Sequence, residues 1–200
     1  QFVFVWPFLF LTRRKTILRI GDVPSVGWQH RVLWKYVINP HVEHYVCNSR
    51  RSFTQLGKNI GNESIVKATI IRNYVNFDND NKHLRFNQND EKIILFVGQM
   101  SVDKGADILL DVAIRCVNAG SNLNFVFAGE SRSQNLSLSN QISYVKSSKI
   151  LREKIIFEGY CDQPRLKKLY TNADLLVVPS MFDDSSPNVI TEARAFGLPC

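Results

Sequence analysis

The chain has 200 residues, 44% of them hydrophobic and 22% charged, which suffices for one large or two small domains and excludes a disordered or fibrous chain. Its 4 cysteines (Cys47, Cys116, Cys161, Cys200) and 4 histidines form no CxxC or HExxH pattern, so they read as reduced thiols of a cytosolic protein, with neither a disulfide framework nor a metal site. The net charge of +7 is uneven: residues 1–72 hold 11 Lys/Arg against 3 Asp/Glu, net +8, and residues 73–200 hold 14 against 15, net −1.

Residues 2–11 (FVFVWPFLFL) are too short to span a bilayer, which needs roughly 20 apolar residues. The basic cluster Arg13, Arg14 and Lys15 follows the run, the reverse of a signal peptide. Starting at Gln1, the chain reads as an internal fragment. The run is then either a buried strand or short helix, or an interfacial segment with its basic neighbours on lipid phosphates. The basic excess has the same two readings, a solvated surface or a footprint for an anionic partner such as a phospholipid leaflet or a diphosphate-linked lipid. Nucleic acid is disfavoured, since no helix-turn-helix, RNP-type or zinc-finger pattern accompanies the charge.

A strand is predicted over 16–20, ending in the turn Gly21-Asp22-Val23-Pro24, then a helix over 28–38 stopped by Asn39-Pro40. A strand over 43–47, a helix over 50–58 and a strand over 67–72 follow. Residues 76–90 are rich in Asn and Asp and read as a linker between domains 1–75 and 91–200.

Beyond the linker the alternation is regular. Strands are predicted over 93–97, 123–128, 154–157 and 175–178. Helices are predicted over 104–120, with apolar residues at 108, 109, 112, 113, 116 and 117, and over 141–151, 163–172 and 188–196; residues 131–140 read as loop. Strands separated by helices of this length imply right-handed crossovers and a parallel sheet, and continuous apolar strands imply a sheet covered on both faces. The fold class is doubly wound α/β.

The last stretch carries the chemistry. Pro179-Ser180 ends an apolar run, Asp183 and Asp184 follow in a polar loop, and Glu192 lies eight positions after Asp184 near a helix start. Open α/β folds place ligands where a strand feeds a loop and a helix N-terminus, and free N–H groups there suit an anion such as a diphosphate. Taken alone, the two acids could equally be helix-start charges that complement the dipole.

These residues fall into a wider pattern. The series Gly98-Gln99-Met100-Ser101-Val102-Asp103-Lys104-Gly105, Phe127-Ala128-Gly129, Ile156-Phe157-Glu158-Gly159-Tyr160, Leu169-Tyr170, Ala173-Asp174, Pro179-Ser180, Glu192-Ala193 and Gly197-Leu198-Pro199 resembles the second half of retaining glycosyltransferases of family 4, the glycosyl transferases group 1. Upstream, Val46-Cys47-Asn48-Ser49 and Ile70-Ile71-Arg72-Asn73 resemble the end of that family's first domain. The resemblance covers roughly residues 40–200, more loosely 16–40.

It implies a GT-B architecture of two Rossmann-like domains with parallel sheets, both incomplete here. It implies a nucleoside-diphosphate-sugar donor, a glycan or lipid-linked acceptor, retention by front-face attack, and neither metal nor other cofactor. Lys104 would meet the diphosphate charge together with the helix start, beside Gly98, which lets phosphates approach the backbone. Gln99 stands where the family has Arg, so it donates a hydrogen bond without charge. Asp184 stands where the family has Glu on the donor sugar. Backbone N–H groups of Ser185, Ser186 and Asn188 would face sugar and phosphate oxygens, and Glu192 would accept from the ribose hydroxyls. Gly21-Asp22 stands where the family often has His-Asp near the reacting centre, which makes Asp22 the first-domain candidate.

The expected protein is thus a cytoplasmic glycosyltransferase, peripheral on the inner face of the membrane, in cell-surface polysaccharide or lipopolysaccharide assembly. A non-catalytic nucleotide-sugar-binding relative and a GT-B-fold epimerase are the alternatives. The 200-residue piece alone is expected to be inactive and poorly folded.

Overall fold

The structure is a computed structural model that describes residues 16–61, 64–75, 91–131, 135–181 and 187–200. The apolar run 2–11, the expected linker 76–90, and Asp184, Ser185 and Ser186 lie outside the described residues. The chain divides into two compact units that part between Tyr74 and Val75.

In the first unit β1 (Thr16–Ile20), β2 (Val42–Cys47) and β3 (Ala68–Ile70) form a parallel sheet in that order. The helix expected over 28–38 is α-helical only in α1 (Trp28–Val32). Leu33–Ile38 winds as a π-turn and Asn39–His41 as a 3-10 turn around Pro40. No Gly or Pro within 28–38 marks that change of pitch. The strand expected over 67–72 shortens to β3, because Ser64–Lys67 forms a 3-10 turn.

Helix α2 (Arg50–Ile60) starts at a reciprocal cap: Ser49 Oγ accepts from the Ser52 N–H at 3.1 Å, and Ser52 Oγ accepts from the Ser49 N–H at 3.2 Å. It buries Leu56 and Ile60 against Ile38, Val42, Tyr45 and Cys47. Asn48 ties the ends of β1 and β2, its N–H donating to the Ile20 carbonyl and its side-chain amide to the Gly21 carbonyl.

The second unit contains β4 (Lys92–Val97), β5 (Leu123–Ala128), β6 (Ile155–Gly159) and β7 (Leu175–Leu176), all parallel in the order β6-β5-β4-β7. Strand alternation divides its core. Phe96, Phe125 and Phe127 face one side, packing on α3 (Ala106–Asn118), α4 (Leu136–Ser147) and α5 (Lys149–Lys154) through Leu110, Ala113, Leu138, Val145 and Leu151. Leu95 and Val126 face the other, packing on Tyr170 of α6 (Gln163–Asn172) and Ala193 of α7 (Asn188–Ala195). A sheet covered on both faces explains why its central strands are uninterrupted apolar runs.

Three expected elements change. The helix expected from 104 begins at Ala106, and its buried face is Ala106, Leu109, Leu110, Ala113 and Val117, leaving Ile108 and Val112 exposed. The stretch read as loop over 131–140 already turns helical at Leu136. Asn135 Oδ1 caps the Leu138 N–H at 3.1 Å, and Leu138 is buried; Ser148 then splits the expected single helix into α4 and α5 by capping Leu151. Strand β7 pairs with β4 over two residues only, shorter than the expected 175–178, and on its other side the Leu176 N–H is taken by the Pro199 carbonyl at 2.8 Å. No helix among the described residues is long and apolar enough to cross a membrane.

Candidate functional site

The strand order defines where a ligand can sit. From β4 the chain moves outward through β5 and β6, then crosses to the opposite side of β4 for β7. Helices α3 and α7, which follow β4 and β7, therefore cover opposite faces, and the crevice outside the carboxyl ends of these strands is the usual ligand position in such folds.

Backbone hydrogen bonds lace the rim of that crevice. The Met181 N–H donates to the Asp103 carbonyl at 3.0 Å, joining the loops after β7 and β4. The Met100 N–H donates to the Glu130 carbonyl at 3.0 Å, and the Gly129 N–H to the Gly159 carbonyl at 2.8 Å, extending the rim across β5 to β6.

Two glycines make this closeness feasible. At Gly105 (φ +68°) a Cβ would lie 2.1 Å from the Pro179 carbonyl oxygen, and at Gly129 (φ +148°) it would lie 1.8 Å from the Gly98 oxygen. Any side chain at either position would push the loops apart. At Gly98 (φ +155°), where the sequence reading has phosphates approaching the backbone, a Cβ would meet only the Phe96 ring, at 3.7 Å, so no other loop fills that space.

Lys104 is half-buried and closes the 3-10 turn Val102–Lys104, one residue before the left-handed Gly105. It therefore precedes α3, where the sequence reading had it on the helix. Gly105, left-handed at φ +68°, caps the 3-10 turn, and the α-helix begins after it at Ala106. Gln99 is exposed on the same β4 loop. Asn188 is exposed at the first position of α7, and Glu192 lies one turn later, half-buried.

Glu192 Oε2 accepts a 2.6 Å hydrogen bond from the Tyr170 hydroxyl. Burial, then the Glu192 carboxylate, pushes that phenol well above its ordinary range. Asp22 belongs to the first unit, exposed on the loop that Asn48 fastens through Gly21. Gly98, Gln99 and Lys104 thus share one loop, and Asn188 and Glu192 share α7.

Next to the rim lies a cleft of about 370 Å³, lined by Met100, Gly129, Glu130, Ile142, Lys146 and Phe157 among others. Its lining combines the apolar side chains of Met100, Ile142 and Phe157 with the charged ones of Glu130 and Lys146. The sequence reading places Ile142 and Lys146 on a helix over 141–151 without giving them a role, and passes over Glu130, which the Met100 hydrogen bond and the cleft lining place at the rim. Among the described residues no three His, Cys, Asp or Glu side chains gather closely enough to hold a metal ion.

The two parallel sheets and their covering helices have the architecture of GT-B glycosyltransferases. HepE of Anabaena, solved in complex with UDP-glucose, superposes with a TM-score of 0.73 at 18% identity, over 98% of this chain and 55% of that one. Residues 78–200 match the family model of glycosyl transferases group 1, and the chain belongs to that family. An uncharacterized glycosyltransferase of Methanocaldococcus jannaschii is 33% identical over 113 residues, 56% of this chain and 27% of the relative. Mannosylfructose-phosphate synthase of Agrobacterium fabrum is 32% identical over 113 residues, 54% and 24% respectively. The chain thus spans about a quarter of the length of these curated relatives.

Proposed function

We propose that this chain is the donor-binding part of a retaining, metal-independent glycosyltransferase of family 4. It moves a sugar from a nucleoside diphosphate to a glycan or lipid-linked acceptor, in cell-surface polysaccharide or lipopolysaccharide assembly. The observation that carries the reading is the rim: the Lys104 turn is held beside the loop that follows β7 by the Met181–Asp103 hydrogen bond and the Gly105–Pro179 contact. That is where a diphosphate would need a cation and a helix start together. Family membership and the fold shared with HepE support it.

In this mechanism the protein supplies position and electrostatics. Lys104 offsets the charge that grows on the departing diphosphate. Gln99 donates a hydrogen bond to the same phosphates, with no charge of its own. Asp184 accepts from the donor sugar, Ser185, Ser186 and Asn188 offer backbone N–H groups, and Glu192 accepts from the ribose. Asp22, from the first unit, serves the reacting centre. The leaving phosphate takes the acceptor proton as the new glycosidic bond forms on the same face, so no protein nucleophile is required. The protein works in the cytoplasm, and its basic first third rests on the anionic inner face of the membrane.

The test is saturation-transfer NMR of the full-length protein against UDP-, GDP-, ADP- and CMP-sugars, followed by turnover of the donor that binds. One donor should bind, Glu192→Ala should abolish the signal, and Lys104→Ala should lower turnover by about 10²–10³-fold. Because Gln99 carries no charge, a second reading is a nucleotide-sugar-binding relative without catalysis. Binding without turnover, unchanged by Gln99→Arg, would favour it.

A further inference from the structure

Tyr170 and Glu192 reach one another from two helices. Tyr170 sits near the end of α6 at 1% exposure and donates to Glu192 Oε2 at 2.6 Å. Its ring also stacks on Phe196, with centroids 5.6 Å apart and planes 14° from parallel. Glu192 and Phe196 are four residues apart where α7 runs into its C-terminal cap, so they lie on one face. One buried side chain therefore grips two points of α7, by stacking and by hydrogen bond.

A buried phenol needs a hydrogen-bond partner, and any acceptor would meet that need. Here the partner is a carboxylate, and a short bond to a carboxylate is among the stronger kinds a phenol can make. Burial, reinforced by the carboxylate, keeps the phenol protonated, so it remains a donor at neutral pH. A glutamate side chain otherwise samples several rotamers, and a ligand that needs one of them must offset the ordering. With Oε2 already engaged, that ordering is complete before the ligand arrives, and Oε1 remains as the acceptor.

We infer that Tyr170 is a positioning residue for donor binding: it holds the Glu192 carboxylate in the one orientation that meets the ribose hydroxyls. The inference rests on the reading of Glu192 given under the proposed function. It adds to that reading a second residue, which touches no ligand and acts only through Glu192.

Calorimetric titration of the full-length protein with UDP, GDP and ADP tests it, each nucleotide beside the dideoxy form that lacks the ribose hydroxyls. Wild type, Tyr170→Phe, Glu192→Ala and the double variant are compared. Phenylalanine keeps the stacked ring and removes only the hydroxyl. Tyr170→Phe is expected to weaken the tightest nucleotide about tenfold. It should leave the dideoxy form unchanged and add nothing in the Glu192→Ala background. A purely structural tyrosine would weaken both forms alike. That result, or no effect on either form, overturns the inference while leaving the Glu192 reading intact, provided Glu192→Ala still erases the preference for ribose. If wild type binds no nucleotide, or binds both forms equally, the reading of Glu192 falls and the inference falls with it.

Discussion

At Gly105 and Gly129 the backbone of one loop occupies the space that a side chain on the other would need. The conformations are left-handed or mirror-extended, so any substitution meets both torsional strain and a collision with a carbonyl group. Gly105→Ala and Gly129→Ala should each cost at least about 2 kcal/mol, read as a lower urea midpoint with an unchanged slope. Gly21→Ala is the control, because a Cβ there meets nothing within 4 Å. Its midpoint should stay the same or rise slightly, since alanine restricts the unfolded chain. The buried tyrosines add a pH signature. Burial raises the phenols of Tyr45 and Tyr170 above their ordinary value of about 10, and Glu192 raises Tyr170 further. Above that pH the unfolded chain loses phenolic protons that the folded chain keeps, so stability is complete below about pH 10 and falls as pH rises. The Cys47 thiol, also raised by burial, contributes the same decline from about pH 8.5. Thermal melts should therefore drop from about pH 9 to 11, and Tyr170→Phe should drop less steeply.

Among the elements, those with an unambiguous period were legible. The run 123–128 matches β5, and 163–172 matches α6, because Asp162 caps the Arg165 N–H just before an amphipathic segment. The start of α3 was not legible in the apolar spacing, since Gly105 faces Pro179, a residue more than seventy positions away. Nor was the start of α4, since its first turns read as polar Ser and Asn and only the burial of Leu138 pulls them onto the sheet. For the candidate site, the residues on the β4 loop and α7 could be chosen from sequence. The Tyr170–Glu192 pairing and the cleft beside Lys146 could not, because both depend on how helices from separate segments pack. The α4 cap is therefore worth testing by itself. Asn135→Ala removes the acceptor of the Leu138 N–H and should cost about 1 kcal/mol, seen as a lower urea midpoint. Asn135→Asp should keep the cap and leave the midpoint nearly unchanged.

For the molecule as a whole, the uneven charge is the feature with the longest reach. Net +8 over residues 1–72 acts across about 8 Å at physiological salt and fades at higher ionic strength. No acid lies between Asp22 and Glu43, and α1 with its π-turn exposes Trp28 at 75% and Tyr36 at 66% among Arg31 and Lys35. Aromatic rings and basic side chains together suit a lipid headgroup layer, each basic residue near an anionic surface contributing about 1 kcal/mol. The chain should therefore sediment with vesicles containing phosphatidylglycerol and remain in solution with pure phosphatidylcholine. Raising the salt from about 0.05 to 0.5 M should release it, as the screening length shortens severalfold. Arg31→Glu with Lys35→Glu should weaken binding by tenfold or more at low salt, a loss of about two charges from the surface and a gain of two repulsions. Equal binding to both vesicle types, or none to either, would instead assign the basic excess to an ordinary solvated surface.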